Sequence, residues 1–91
     1  MSHTIADKTK LLARVRRLRG QLDAVERALE AEAECSEVMH LVAAVRGAIG
    51  GLSHELIEDQ LLSHVLDAQA DEDARRAAAV ELLSVLRTYV K

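Results

Sequence analysis

Two apolar stripes with the period of a helix most constrain what this chain can fold into. In the first third of the chain, apolar side chains recur at alternating spacings of four and three residues: Leu11, Val15, Leu18, Leu22, Val25 and Leu29. A second stripe repeats these spacings with Val38, Val42, Val45, Ile49, Leu52 and Leu56. Such alternation keeps side chains along one face of an α-helix. The sequence therefore predicts two long amphipathic helices.

The two stripes are out of phase with each other. Continued forward, the first stripe reaches residue 36, whereas the second stripe, run backward from Val38, reaches residue 35. A slip of one residue turns the apolar face by about 100°. We therefore expect the chain to fold back between residues 31 and 35 as a helix hairpin, although no Gly or Pro marks a turn there. One continuous helix is the alternative.

The apolar spacing loosens after His64, where a polar segment at residues 67–73 separates a third amphipathic stretch. Asp71 is a suitable N-cap for a short C-terminal helix, and Thr4 followed by Asp7 predicts that the first helix begins near Ile5. We therefore predict an all-α, three-helix protomer. It consists of a long antiparallel helix hairpin plus a short C-terminal helix, in a single domain over residues 1–91.

The composition predicts that this protomer does not act alone. The chain has 91 residues and an aromatic content of 1%, so one hairpin cannot cover both apolar stripes. We expect two hairpins to pack as a four-helix bundle. There is one cysteine, and no signal peptide or membrane-spanning run is present in the sequence. A free thiol in a cytoplasmic protein without membrane contact is therefore predicted.

Positive charge is concentrated at the start of an acidic chain. Residues 1–20 hold six of the twelve Lys and Arg side chains, and the net charge is −3. Lys10, Arg14, Arg17 and Gln21 recur at helical spacing beside the apolar stripe, and a hairpin folded near residue 33 places Arg46 opposite Gln21. This strip predicts contacts to the phosphate backbone of DNA; a solvated charged face is the alternative.

Three residues remote in sequence converge if the hairpin dimerises. Cys35 and His64 lie about 40 Å apart along one helix, so they can serve one site only from different chains. The hairpin places His3 beside His64, and a two-fold axis brings the Cys35 of one chain to both histidines of the other, which gives two sites per dimer. Gln60 shares a face with His64, and removal of Met1 frees the amine of Ser2. Thiolate and imidazole ligands suit nickel, cobalt or zinc.

Simpler roles for these residues remain open: Cys35 as a small packing residue, His64 as a solvated imidazole at a helix end, and His3 as part of a flexible terminus. The sequence contains no catalytic arrangement and no Gly-rich phosphate loop. We therefore expect a binding protein and not an enzyme.

These features resemble the small all-helical repressor family of copper-sensing CsoR, nickel/cobalt-sensing RcnR and formaldehyde-responsive FrmR. The resemblance extends over almost the whole chain. It is carried by SHTI at residues 2–5, RVRRLRGQ at 14–21, EC at 34–35, AAVRGA at 43–48 and YVK at 89–91. It implies a dimer of dimers that binds operator DNA and releases it when an inducer occupies an inter-subunit site.

The resemblance is closest to the nickel/cobalt branch. The ligands of that branch correspond to the amine of Ser2, to His3, Cys35 and His64, and to position 60, where this chain has Gln60 and both the nickel/cobalt and formaldehyde branches usually have His. Copper sensors have a second cysteine at position 64, which is absent here. Formaldehyde sensors share Cys35 and an Arg-rich first helix, but they usually begin with Pro at position 2 and have a glutamate at position 64.

We therefore predict a DNA-binding repressor induced by Ni(II) or Co(II), with Zn(II) as a further candidate. The predicted DNA-binding residues are Lys10, Arg14, Arg16, Arg17 and Arg46. One alternative is a formaldehyde-responsive repressor that uses the Ser2 amine and Cys35. A further alternative is a structural helical adaptor without DNA binding.

Overall fold

A computed structural model describes residues 7–89 as three α-helices and one π-helical turn. The α-helices are α1 (Lys8–Glu30), α2 (Cys35–Gln60) and α3 (Glu72–Tyr89), and the π-helical turn (Leu61–Val65) directly follows α2. No strand occurs among these residues. The predicted all-α, three-helix protomer is confirmed, whereas the predicted helix start near Ile5 lies outside the described residues.

The chain divides into two compact units, residues 1–53 and residues 54–91. The first unit contains α1 and the larger part of α2, and the second contains the end of α2, the π-helical turn and α3. The assignment of one domain to residues 1–91 stays a prediction.

The turn between α1 and α2 is a Schellman motif. The backbone N–H of Ala33 donates to the carbonyl of Ala28 over 2.9 Å, and that of Glu32 donates to the carbonyl of Leu29 over 3.1 Å. Glu32 adopts a φ of 55°, the left-handed conformation that this motif requires and that glycine most often supplies. The predicted turn within residues 31–35 is confirmed. Glu32 occupies the position of the motif at which glycine is most common, so the sequence shows no glycine at this turn.

Within the first unit, α2 runs back along α1. A Cβ added to Gly51 on α2 would lie 3.0 Å from Nη1 of Arg14 on α1. Arg14 lies near the start of α1 and Gly51 far along α2, so the two helices are antiparallel. This pairing is close to the register predicted for a fold near residue 33.

The structure divides the second apolar stripe between two sides of α2. One half of the stripe is covered by the chain itself: Val45 is buried, and Val38 and Leu52 are half-buried. The other half is open: Val42 is 49% exposed and Ile49 45%. Successive steps of three and four residues place alternate members on either side of the stripe's midline, so one side packs within the protomer and the other is left uncovered.

The first stripe also has a covered and an open part, although Val15, on the side of Leu22 and Leu29, is half-buried. Leu11, Val15, Leu18 and Val25 are half-buried, whereas Leu22 is 50% exposed and Leu29 60%. The exposed halves of both stripes are apolar surface that folding of the single chain does not remove from water.

The second unit is organised around the end of α2. The carboxylate of Asp71 accepts a hydrogen bond from the N–H of Ala74 over 2.7 Å, which confirms Asp71 as the N-cap of α3. In the π-helical turn, the N–H of Leu66 donates to the carbonyl of Leu61, five residues earlier. Nε of Arg75 on α3 donates to the carbonyl of Val65 over 2.9 Å.

The structure differs here from the single α-helix predicted through His64, because the α-helical hydrogen bonding ends at Gln60. The π-helical turn places the carbonyl of Val65, its last residue, within hydrogen-bonding distance of the Arg75 guanidinium. This hydrogen bond satisfies a carbonyl group that the end of a helix otherwise leaves without a donor.

Candidate functional site

Cys35 is the first residue of α2, and its free thiol is exposed. It lies at one end of an open, mainly apolar groove along α2. The groove is lined by Cys35, Val38, Met39, Val42, Ala43, Arg46 and Gly47. An accessible thiol can reach a ligand on another molecule, and the groove beside it includes Val42 from the open side of α2.

His64 lies within the π-helical turn, and its side chain is half-buried. Gln60, one helical turn earlier, is also half-buried, and its Nε2 donates to the carbonyl of Ala78 on α3 over 3.3 Å. Since this hydrogen bond engages the amide nitrogen, the oxygen Oε1 is the atom of Gln60 suited to approach a cation. Carboxamide oxygen is a poor ligand for nickel or cobalt compared with imidazole.

The structure places the described candidate ligands in different parts of the chain. Cys35 belongs to the first compact unit, and Gln60 and His64 belong to the second. Within residues 7–89, no group of three or more His, Cys, Asp or Glu side chains could hold a metal ion. His3 and Ser2 lie outside the described residues. A shared site built from two subunits therefore stays a prediction.

The donor types nevertheless fit a divalent ion of the nickel, cobalt and zinc group. Cys35 offers an accessible sulfur and His64 an imidazole, and these ions accept such borderline ligands. Both ligands bind as their deprotonated forms. Two donors do not complete a coordination sphere, so a metal held here needs further ligands, for which His3 and the Ser2 amine are the candidates.

The predicted DNA-binding residues occupy two different environments. Lys10, Arg16 and Arg17 are exposed on α1, and Arg46 is exposed on α2 at the other end of the groove from Cys35. Arg14, in contrast, is half-buried, with its guanidinium against Gly51. The structure therefore places the guanidinium of this member of the basic strip beside α2.

Three features of this region have no clear signal in the sequence. The π-helical turn around His64 is one, and the hydrogen bond from Gln60 to α3 is another. The third is Gln21, predicted as part of the basic strip, whose Oε1 is buried and accepts no hydrogen bond from the described residues. A π-helical turn has no characteristic sequence, and the other two features depend on helix packing.

Among residues 7–89, no helix has both the length and the apolar character needed to cross a membrane.

Comparison with known proteins gives consistent matches. A protein-family model described as "Metal-sensitive transcriptional repressor" matches residues 7–88. The chain is 42% identical over 91 residues to the transcriptional repressor RcnR of Salmonella paratyphi B, and 48% identical to an uncharacterized protein encoded in the bioA 5′ region of Serratia marcescens; each match covers 100% of both chains.

A solved structure is also similar. It is a variant of the formaldehyde-responsive regulator FrmR from Salmonella enterica serovar Typhimurium, with 41% sequence identity and a TM-score of 0.85 over 93% of this chain and 96% of that chain. The resemblance inferred from the sequence motifs is thereby confirmed. The family consists of transcriptional repressors and not enzymes. This chain belongs to the metal-sensitive transcriptional repressor family.

Proposed function

We propose that this chain is an operator-binding repressor that releases DNA when Ni(II) or Co(II) occupies a site between two subunits. Cys35 of one subunit supplies a thiolate, and His64, His3 and the Ser2 amine of the other subunit supply nitrogen ligands. Zn(II) is a further candidate ion. The observation that carries the proposal is full-length similarity to a repressor named RcnR, together with an accessible Cys35 and a half-buried His64 in this chain.

The uncovered apolar surface supports assembly through α2. Val42 and Ile49 are about half exposed in the single chain and lie on the same side of α2. Covering such a surface with the same surface of a second copy removes apolar area from water and satisfies two-fold symmetry. We propose a homodimer with a four-helix core, and a dimer of dimers as the complete repressor.

The distribution of charge supports binding to the DNA backbone. Among residues 7–89, no acidic side chain forms an ion pair with Arg16, Arg17 or Arg46, so these guanidinium groups are available to phosphates. A repressor of this kind acts on DNA in the cytoplasm, and family membership favours it over a structural adaptor.

The second candidate inducer is formaldehyde. The similar solved structure is of a formaldehyde-responsive regulator. In this proposal the exposed Cys35 thiol and the amine of Ser2 are the two nucleophiles, which formaldehyde joins by a methylene bridge with loss of one water. Gln60 also favours this candidate, because an amide at position 60 is a weak metal ligand and already donates its N–H to Ala78.

The deciding experiment is an operator-release titration with nickel, cobalt, zinc, copper(I) and formaldehyde in parallel. We expect nickel or cobalt to release DNA at the lowest concentration. Release by formaldehyde alone would contradict the metal proposal and support the aldehyde sensor.

Substitution at position 60 sharpens this test. Gln60→His should lower the nickel or cobalt concentration needed for release about tenfold or more, because imidazole is the stronger ligand. Gln69→His, which adds an imidazole in the exposed loop before α3, is the matched control and should have no effect. Equal responses of the two variants would show that position 60 does not face the ion.

A further inference from the structure

Arg14 is the member of the basic strip whose guanidinium lies beside Gly51 of α2. Nη1 of Arg14 lies 3.0 Å from the place of a Cβ on Gly51, whereas a Cβ on Gly47 or Gly50 would meet nothing within 4 Å. All three glycines lie inside α2, so each of them destabilises the helix by a similar amount relative to alanine. Of these three glycines, only Gly51 has a neighbouring side chain, that of Arg14, close enough that an added Cβ would force it to shift.

Arg14 differs from its neighbours on α1 in how it is held. Its side chain is half-buried and takes part in an interaction within the protein, whereas Arg16 and Arg17 are exposed. A half-buried guanidinium held beside Gly51 has fewer accessible conformations than one in solvent. Less side-chain entropy is therefore lost when it binds a phosphate.

From these observations we infer that Gly51 is a positioning residue for Arg14: its missing side chain lets the Arg14 guanidinium lie on α2, in the orientation that binds a DNA phosphate. The inference deepens the proposed function and depends on the role of Arg14 in DNA binding. It makes the placement of this cation depend on α2, the helix that also begins with the candidate inducer ligand Cys35.

A graded pair of substitutions tests the inference. Gly51→Ala adds a methyl group that would lie closer to Nη1 of Arg14 than most Cβ atoms lie to a neighbouring atom. The flexible end of the Arg14 side chain can relieve this close approach by a shift of a few tenths of an ångström. Gly51→Met fills the space that the guanidinium occupies. We expect operator affinity to fall slightly for Ala and about tenfold for Met, the effect of losing a charged hydrogen bond, with a flatter dependence on salt.

Gly50→Ala is the matched control. It adds the same methyl group one residue away into open space, so it stiffens the helix without touching Arg14 and should leave operator affinity unchanged. Circular dichroism and sedimentation of each variant establish that helix content and assembly are retained; Gly51→Ala serves as the test variant if Gly51→Met does not fold.

A double-mutant cycle with Arg14→Ala separates positioning from general damage. If Gly51 acts through Arg14, Gly51→Met should have no further effect on affinity or salt dependence in the Arg14→Ala background. An equal loss in both backgrounds would overturn the inference, as would undiminished binding by Gly51→Met when Arg14→Ala weakens it. Unchanged binding by Arg14→Ala itself would instead refute the DNA-binding role of Arg14, and the inference with it.

Discussion

Arg17 represents the exposed members of the basic strip on α1. Its guanidinium is in solvent, and no acidic side chain among residues 7–89 pairs with it. A cation in this state contributes little to folding but releases counterions when it meets a phosphate. Arg14, which is half-buried, combines packing with charge.

Arg17→Ala should weaken operator binding and flatten the plot of log K against log salt by about one unit for each phosphate that the protein no longer neutralises. The reduction in affinity should be similar for operator and unrelated DNA, because phosphate contacts carry no sequence information. Binding isotherms at several salt concentrations measure both effects.

Arg27→Ala is the control, because it removes the same charge from the last turn of α1. If Arg27→Ala flattened the salt dependence equally, the net charge of the protein, and not the basic strip, would be responsible.

At the scale of secondary-structure elements, the α1–α2 turn contains a local conflict between sequence and geometry. Glu32 adopts a φ of 55°, a conformation that costs a residue with a Cβ about 1–2 kcal/mol. The two hydrogen bonds of the Schellman motif and the packing of the two helices hold it there. The turn therefore forms in spite of its own residue preference.

Glu32→Gly should stabilise the protein by about 0.5–1 kcal/mol, because glycine adopts a positive φ without a steric penalty. Urea unfolding at a fixed protein concentration measures the gain, since the stability of an oligomer depends on concentration. Glu30→Gly places glycine within the last turn of α1 and should destabilise by a similar amount. The prediction fails if both substitutions shift stability in the same direction.

The sequence reveals the positions of the helices and of the turn between the first two. The stripe from Leu11 to Leu29 locates α1, the slip of phase locates the turn, and Asp71 locates the start of α3. Which side of a stripe is covered is not visible in the spacing, because the pattern places Val45 and Ile49 symmetrically on either side of its midline. It depends on which neighbours each side meets.

The candidate site is less predictable than the helices. The position of Cys35 at the start of α2 agrees with the sequence pattern, but the π-helical turn around His64 does not follow from it. That turn forms where Gln60, at the end of α2, donates a hydrogen bond to α3 and Arg75 of α3 donates one to Val65 in the turn itself. Contacts between residues this far apart in sequence have no local signal.

At the scale of the whole molecule, assembly should depend on the open side of α2. Ile49→Glu places a charge where the proposed partner subunit would bury it, at a cost of about 3 kcal/mol or more per subunit. Because each dimer buries two such charges, the total cost of about 6 kcal/mol should raise the dissociation constant about 10,000-fold or more, and we expect sedimentation velocity to show a monomer. Ala44→Glu adds the same charge to an exposed position on the other side of α2 and should leave assembly intact. A folded monomer of the wild-type chain at micromolar concentration would refute the assembly proposal.

The central claim is that one inducer site takes ligands from two subunits, and mixing two variants tests it most directly. Cys35→Ala and His64→Ala are combined, and cobalt is added at a concentration at which neither variant alone shows the cobalt–sulfur charge-transfer absorption. Heterodimers have one intact site and one site lacking both ligands, so random exchange should restore the absorption to about a quarter of the wild-type intensity. No recovery of absorption in a mixture shown to contain heterodimers would contradict a site shared between subunits.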